Sequence, residues 1–520
     1  MPDSREIGFA YDPAGNLTSL TPPGRPSHEF DYTAVNLLNS YDPPILSDVH
    51  NVTTQYAYNL NREIDFITRP DGQVIDYVYN EAGKLSTINL PGSEQIIYTY
   101  NETTGKPATL TSPDGQTLTY SYDGSLTTSV SMSGLISGTI SQLYDNNFRV
   151  TSRAINGTDA VSFTYDNDGL LKTAGDLNIL LNPATGLPDG TILGQITTSN
   201  TYTTFGELQS ETYTASGTPI YQVIYERDAL DRIVEKTETI EGTSTAYTYT
   251  YDLSGRLTEV YQNGDADPTS RYDYDTNGNR ISFSDYRSGT MTVNNGEYDN
   301  QDRMTSYGNA TEGYAQYEYT ANGELLTKTL NEETTTYNYD VLGNLRAVTL
   351  PNGREINYII DGQNRRVGKK VNGTLEQGLL YKDELNPIAE LDGNGQVVST
   401  FVYGSKFNVP DYIKSNKADK ETWVTYRIIS DHLGSPRLVV NAATGEIVQR
   451  MDFDELGRVM KDTNPGFQPF GFAGGIYDGD TGLVRFGARD YDAETGRWTS
   501  KDPIGFDGGD ANLYGYVMSD

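Results

Sequence analysis

A Tyr-Asp or Tyr-Asn pair returns about every 21 residues along most of this chain. Tyr58-Asn59, Tyr79-Asn80, Tyr100-Asn101, Tyr122-Asp123, Tyr144-Asp145 and Tyr165-Asp166 follow one another at steps of 21, 21, 22, 22 and 21 residues. The series resumes at Tyr251-Asp252, Tyr274-Asp275, Tyr298-Asp299, Tyr319-Thr320 and Tyr339-Asp340. A unit this short cannot bury its own faces, so it must stack on its neighbours. The period therefore constrains the fold more than the length of 520 residues, which alone would predict several domains.

One unit shows the design. Tyr247-Thr-Tyr249-Thr-Tyr251 alternates aromatic and polar residues with the period of a strand. Asp252-Leu-Ser-Gly255 then reads as a turn, with Asp as its cap and Gly supplying positive φ. Arg256-Leu257 opens a second strand, and Asn263-Gly264 is a hairpin signal. Pro70-Asp71-Gly72, Pro113-Asp114-Gly115 and Pro351-Asn352-Gly353 occupy the equivalent place elsewhere. Each unit is two strands and two turns. The expected fold is all-β: tandem hairpins coiled into one spiral sheet, with tyrosine ladders between strands. The less regular stretch 170–220 reads as degenerate repeats, and the lysine-bearing stretch 405–425 as an exposed basic loop.

Composition excludes several functions. The 71 acidic and 38 basic residues give a net charge of −33, which repels phosphate backbones, so no nucleic-acid partner is expected. The absence of Cys removes disulfides, thiol catalysis and thiolate metal sites. His28, His50 and His432 are too scattered for a zinc site, and neither metal nor cofactor is expected. No run is apolar enough for a membrane-spanning helix, and no signal peptide is visible. Asp273-Tyr-Asp275-Thr-Asn277-Gly278 imitates half a calcium loop, but Ser284 stands where the bidentate Glu belongs.

From about residue 426 the sequence changes character, which divides the chain into a repeat array (1–425) and a closing domain (426–520). The second part carries Asp431-His-Leu-Gly-Ser-Pro-Arg437, Phe486-Gly-Ala-Arg489-Asp-Tyr-Asp492, Gly496-Arg-Trp498 and Asp502-Pro-Ile-Gly505, and ends Asn512-Leu-Tyr514-Gly-Tyr516. Together with the repeated Tyr-Asp-x-x-Gly, these motifs resemble the RHS or YD-repeat family across nearly the whole chain. The C-terminal string resembles the RHS-associated core domain.

That resemblance implies a hollow β-shell around a polypeptide cargo, as in the C components of Tc toxins, bacterial RHS effectors and the YD shells of teneurins. It implies secretion or display at the cell surface. It implies a C-terminal toxin as cargo, and an N-terminal plug, partner shell subunit or secretion adaptor as further partners. It also implies an aspartyl autoprotease in the closing domain. Asp502 matches the first catalytic aspartate, and Arg489 the arginine that supports it. Paired carboxylates suit the chemistry, because one retains a proton as acid while the other activates water. The second aspartate belongs to a following Asp-Pro-x-Gly-Leu stretch not found before Asp520, so this length of chain is expected not to cleave itself. Both ends read as cut. Asp490 and Asp492 read as turn residues, His432 as a turn histidine and Trp498 as a packing anchor. A teneurin-like adhesion module is the alternative reading. A carbohydrate-active β-protein is a weaker third, since the acids sit at repeat turns.

Overall fold

The computed structural model describes residues 5–46 and 52–516. Among them are 46 strands, three short 3-10 turns and no α-helix. Forty-two strands, from Gly8–Tyr11 to Val459–Asp462, form one sheet. Each pairs antiparallel with the next in sequence, as Thr243–Tyr251 does with Leu257–Gln262. The ladder runs unbroken through 170–220, so those degenerate units are structurally ordinary. It also runs through residue 426, where Val424–Ser430 pairs on both sides. A separate four-stranded sheet follows, from Ile476–Tyr477 to Arg497–Trp498.

Each residue of the repeat motif has a mechanical task. The register shifts just before the tyrosine, between Ala57 and Tyr58, Thr250 and Tyr251, and Asn338 and Tyr339. The Asp252 carboxylate accepts the N–H of Ser254 at 2.8 Å and of Arg256 at 3.0 Å, which closes the turn. Gly255 completes it at φ +88°, where a side chain would be strained.

The tyrosine staples one unit to the unit before it. Tyr251 Oη donates to the Ile233 carbonyl at 2.6 Å, and Tyr79, Tyr165 and Tyr381 bond Ile64, Val150 and Arg366 in the same way. The arginine after the glycine pairs with its own turn aspartate and lies over the next unit's tyrosine. Arg256 is 2.7 Å from Asp252 and 4.9 Å from the Tyr274 ring centre. Such cation–π contacts are worth about 0.5–1 kcal/mol each at exposed sites.

Contacts between distant residues reveal the coil. Arg25 pairs with Asp302, Arg69 with Glu324 and Asp114 with Arg346, at separations of 277, 255 and 232 residues. Near the C-terminal end the separation falls to 199 for Glu238–Arg437 and 183 for Tyr272–Glu455. The sheet thus winds through two turns and tightens. Hairpin tips on one edge of the first turn (Arg25, Arg69, Asp114) meet Tyr-Asp turns on the other edge of the second (Asp275, Val341, Ile360). The largest apolar cluster spans the two turns, joining Ile75, Leu118 and Ile136 to Val367, Leu379 and Ile428.

The expected basic loop at 405–425 is only partly a loop. Tyr412–Ser415 is a mostly buried strand of the main sheet. Lys406 pairs with Glu211, Lys414 with Asp176 and Lys417 with Glu390. These lysines neutralise acids facing them from other strands, a role invisible in local composition.

Candidate functional site in the closing element

The four-stranded sheet lies against the second turn and is fixed there by buried charge. Asp490 accepts Arg366 and Arg485, each at 2.8 Å, and all three side chains are almost fully buried. Asp478 takes Lys369 at 2.6 Å and the Tyr358 hydroxyl at 2.6 Å. Burial disfavours the Asp478 carboxylate, but Lys369 and Tyr358 outweigh that and hold it below the ordinary range. Arg497 donates to the Asp302 carbonyl, Asn512 to the Asn277 carbonyl, and Tyr514 Oη to the Gly323 carbonyl. Asp490 therefore sits inside a strand, Arg489–Asp492, and is not a turn residue, whereas Asp492 ends that strand and caps the turn after it, accepting the Glu494 N–H on its carboxylate and the Gly496 N–H on its carbonyl. Asp490 is the centre of a buried ion cluster, an assignment that single-residue reasoning missed. The available signal was Arg365-Arg366, where one arginine serves the turn motif and the second has no role in it.

Asp502 and Arg489 are brought together. Their side chains meet at 3.0 Å, both mostly covered. The Arg489 guanidinium also lies 4.1 Å from the Trp498 ring centre. Burial pulls Arg489 below its ordinary value, and Asp502 opposes that. Trp498 packs among Phe486, Tyr491 and Tyr516, so it is an anchor as expected.

Asp502 stands at the head of a tight turn. Its Oδ1 accepts the Ile504 N–H at 3.1 Å, and its carbonyl accepts the Gly505 N–H at 2.9 Å. Its own N–H donates to the Leu513 carbonyl at 2.9 Å, which ties the turn to the following segment. Beyond the turn, Phe506 enters the first turn of the coil, edge-on to His28 at 4.9 Å and to Phe30 at 6.2 Å.

The Asp502 turn faces a cavity of about 640 Å³ between the first and second turns of the coil. Phe30, Tyr41, Tyr56 and Tyr77 line one side, Glu324 and Leu342 another, and Arg489, Lys501 and Asp502 the third. Chemically this is a half-open, aromatic-walled space lined by two carboxylate–guanidinium pairs, Asp502–Arg489 and Glu324–Arg69. The volume is within the range of ordinary ligand pockets.

The other candidates have structural partners. His432 follows the Asp431 turn cap and packs edge-on to Tyr225 at 5.2 Å, with the rest of its side chain exposed. Asp275, of the apparent calcium loop, accepts Asn277 and Asn279 N–H groups and pairs with Arg25.

Known proteins bear on this architecture. In sequence, the chain is 28% identical to mouse teneurin-4 over 380 residues, 71% of this chain and 13% of that protein. Chicken teneurin-1 is 29% identical over 381 residues, again 71% and 13%. The tRNA3(Ser)-specific nuclease WapA of Bacillus spizizenii is 24% identical over 271 residues, 51% of this chain and 11% of that protein. Among solved structures, TcdB2-TccC3-TEV matches with a TM-score of 0.55 at 15% identity, covering all of this chain and 34% of that one. The chain thus spans a minor part of each of these proteins, and the structural likeness concerns the fold. A family description, Teneurin YD-shell, matches residues 1–513. On repeat, coil and match together, the chain belongs to the teneurin YD-shell family.

Proposed function

We propose that the chain forms the wall and closing element of a YD-repeat shell that encloses and delivers a C-terminal polypeptide toxin, outside the cell that makes it. In this reading Asp502 is one of two catalytic carboxylates in a self-cleaving site, and Arg489 fixes its orientation and charge. The observation that carries the reading is the placement of the Asp502–Arg489 pair, turned into a cavity between two coils of the sheet. A site that cleaves an enclosed chain must face inward. The Arg489 guanidinium, 3.0 Å away, fixes the position of the Asp502 carboxylate. The second carboxylate would come from a following Asp-Pro-x-Gly-Leu stretch.

The test extends the chain through such a stretch with a tail. The extended chain is expected to cut itself and retain the released tail. Asp502→Asn is expected to abolish the cut without unfolding the protein, because Asn is nearly isosteric but cannot shuttle a proton. Undiminished cleavage by Asp502→Asn, read on a denaturing gel, would remove Asp502 from the mechanism. A second reading, an extracellular adhesion module, draws support from the teneurin family match. It predicts that the isolated shell binds a cell-surface receptor through its outer face, whether or not Asp502 is intact.

A further inference from the structure

Lys501 is the one cation of the Asp502 cavity for which no hydrogen-bond or ion-pair partner is found among the described residues. The other two cations lining that space are occupied. Arg69 bonds Glu324 at 3.2 Å and the Val341 carbonyl at 2.7 Å, and Arg489 bonds Asp502 at 3.0 Å. The Lys501 ammonium lies 5.9 Å from the centre of the Tyr41 ring, and Glu324 is the acid that acts on its charge without bonding it. Its stem is held by the backbone of the second turn, where a Cβ added to Gly323 would lie 3.0 Å from Lys501 Cε. A lysine on a free surface satisfies its ammonium with water and swings widely. This one is fixed at the stem, and its head is turned toward aromatic rings.

A part-buried ammonium that no anion bonds directly carries part of the cost of desolvation. The shape of the site says what would remove that cost. The surrounding walls are Phe30, Tyr56, Tyr77, Ile75 and Leu342, which suit an apolar or aromatic body. One unpaired positive charge at one end suits a single negative group. We propose that this cavity binds the carboxylate end of a polypeptide, with Lys501 holding the carboxylate and the aromatic walls holding the last apolar side chain. The identity of that carboxylate rests on the reading above: cutting a chain beside Asp502 creates a new C-terminal carboxylate at this place. The binding itself does not require cleavage.

The groups facing Lys501 set its pH behaviour. Burial pulls it down to about 8, Glu324 opposes, and Arg69 and Arg303 lower it further. From the first turn of the coil, His28 adds no opposing charge. Burial, with Lys501 itself, lowers His28 to about 4, so it is neutral. Asp502 is neutralised by Arg489, and Asp507 lies at the exposed side of the turn. The ammonium is therefore present at pH 7 and mostly lost by pH 9.

The 520-residue chain tests this by calorimetric titration with N-acetyl-L-phenylalanine and, as the neutral control, N-acetyl-L-phenylalaninamide. The acid is expected to bind about tenfold or more tightly at pH 7, the usual worth of a charge-assisted hydrogen bond. That preference is expected to shrink roughly tenfold by pH 9, as the ammonium is lost. Lys501→Met is expected to erase the preference, and Lys501→Arg to keep it at pH 9. The titration uses free ligands and reads no cleavage, which separates this inference from the cleavage reading. Equal affinity for acid and amide, no binding of either, or a preference that survives Lys501→Met would each overturn the proposal. Unchanged melting of the variants confirms that the comparison is made on folded protein.

Discussion

The two turns of the coil carry the same Asp-x-x-x-Arg turn, with a positive-φ residue before the arginine, in different surroundings. In the first turn the motif faces solvent: the Asp145–Arg149 pair is 23% and 29% exposed, and Leu60 and Phe205 stand uncovered at turn tips. In the second turn the same edge is covered by hairpin tips of the first, and Asp361–Arg365 is 0% and 6% exposed. The motif makes the turn in both places. Only in the second does its ion pair also become part of the interior. Local geometry and burial are therefore separable here, and substitutions at equivalent positions can tell them apart.

The ion pairs give the largest contrast. Arg365→Ala leaves Asp361 buried without its partner, which typically costs about 3–5 kcal/mol. Arg149→Ala removes an exposed pair and is expected to cost about 1 kcal/mol or less. Urea denaturation of the two variants measures the gap, and equal losses would dissolve the distinction between the turns.

The next contrast concerns pH. His28 is buried at the junction with Phe506, where burial and then Lys501 lower it to about 4, below the ordinary 6.5. In the unfolded chain it takes a proton earlier as pH falls, so protonation favours unfolding. Its contribution is complete above about pH 6.5 and is lost progressively down to about pH 4, on the order of 3 kcal/mol in all. Melting temperature measured from pH 7 to pH 4 is expected to fall more steeply in the parent than in His28→Gln.

Turn glycines should ignore the comparison. Gly255 and Gly343 lie at φ +88° and +84°, and an added Cβ meets nothing within 4 Å at either. Valine at each should cost the same backbone strain, about 1–3 kcal/mol. A much larger loss at Gly343 would mean that packing, not the turn, sets the cost.

The tyrosine staple gives the smallest effect. Tyr381→Phe loses a buried hydroxyl bonded to the Arg366 carbonyl at 2.9 Å, and Tyr165→Phe a half-buried one bonded to Val150 at 2.8 Å. About 1 kcal/mol is expected for the buried staple and less for the other. Hydrogen exchange at the neighbouring strand ends should report the difference.

The repeat made the coiled all-β sheet legible from sequence, because strand period, turn capping and positive φ are decided within about 21 residues. The Asp502–Arg489 proximity was legible through family resemblance, since no local rule joins positions 13 residues apart across a strand and a turn. Asp490, Arg366 and Arg485 were not legible. A buried charge cluster depends on which strands the coil lays side by side, and the three are 5 to 124 residues apart. The lysines of 405–425 looked like surface charge for the same reason.

The sequence by itself determined the unit: where each strand begins, why each turn closes, and how each tyrosine and arginine reach the adjoining unit. The tertiary structure alone decided the circumference of the coil, which edge is covered, and what the closing element meets inside. The physical reason is range. Turn chemistry acts over four residues and the staple over fifteen to eighteen, whereas the contact between turns joins residues about 180–280 apart. It depends on twist accumulated over some twenty strands, which no single repeat encodes.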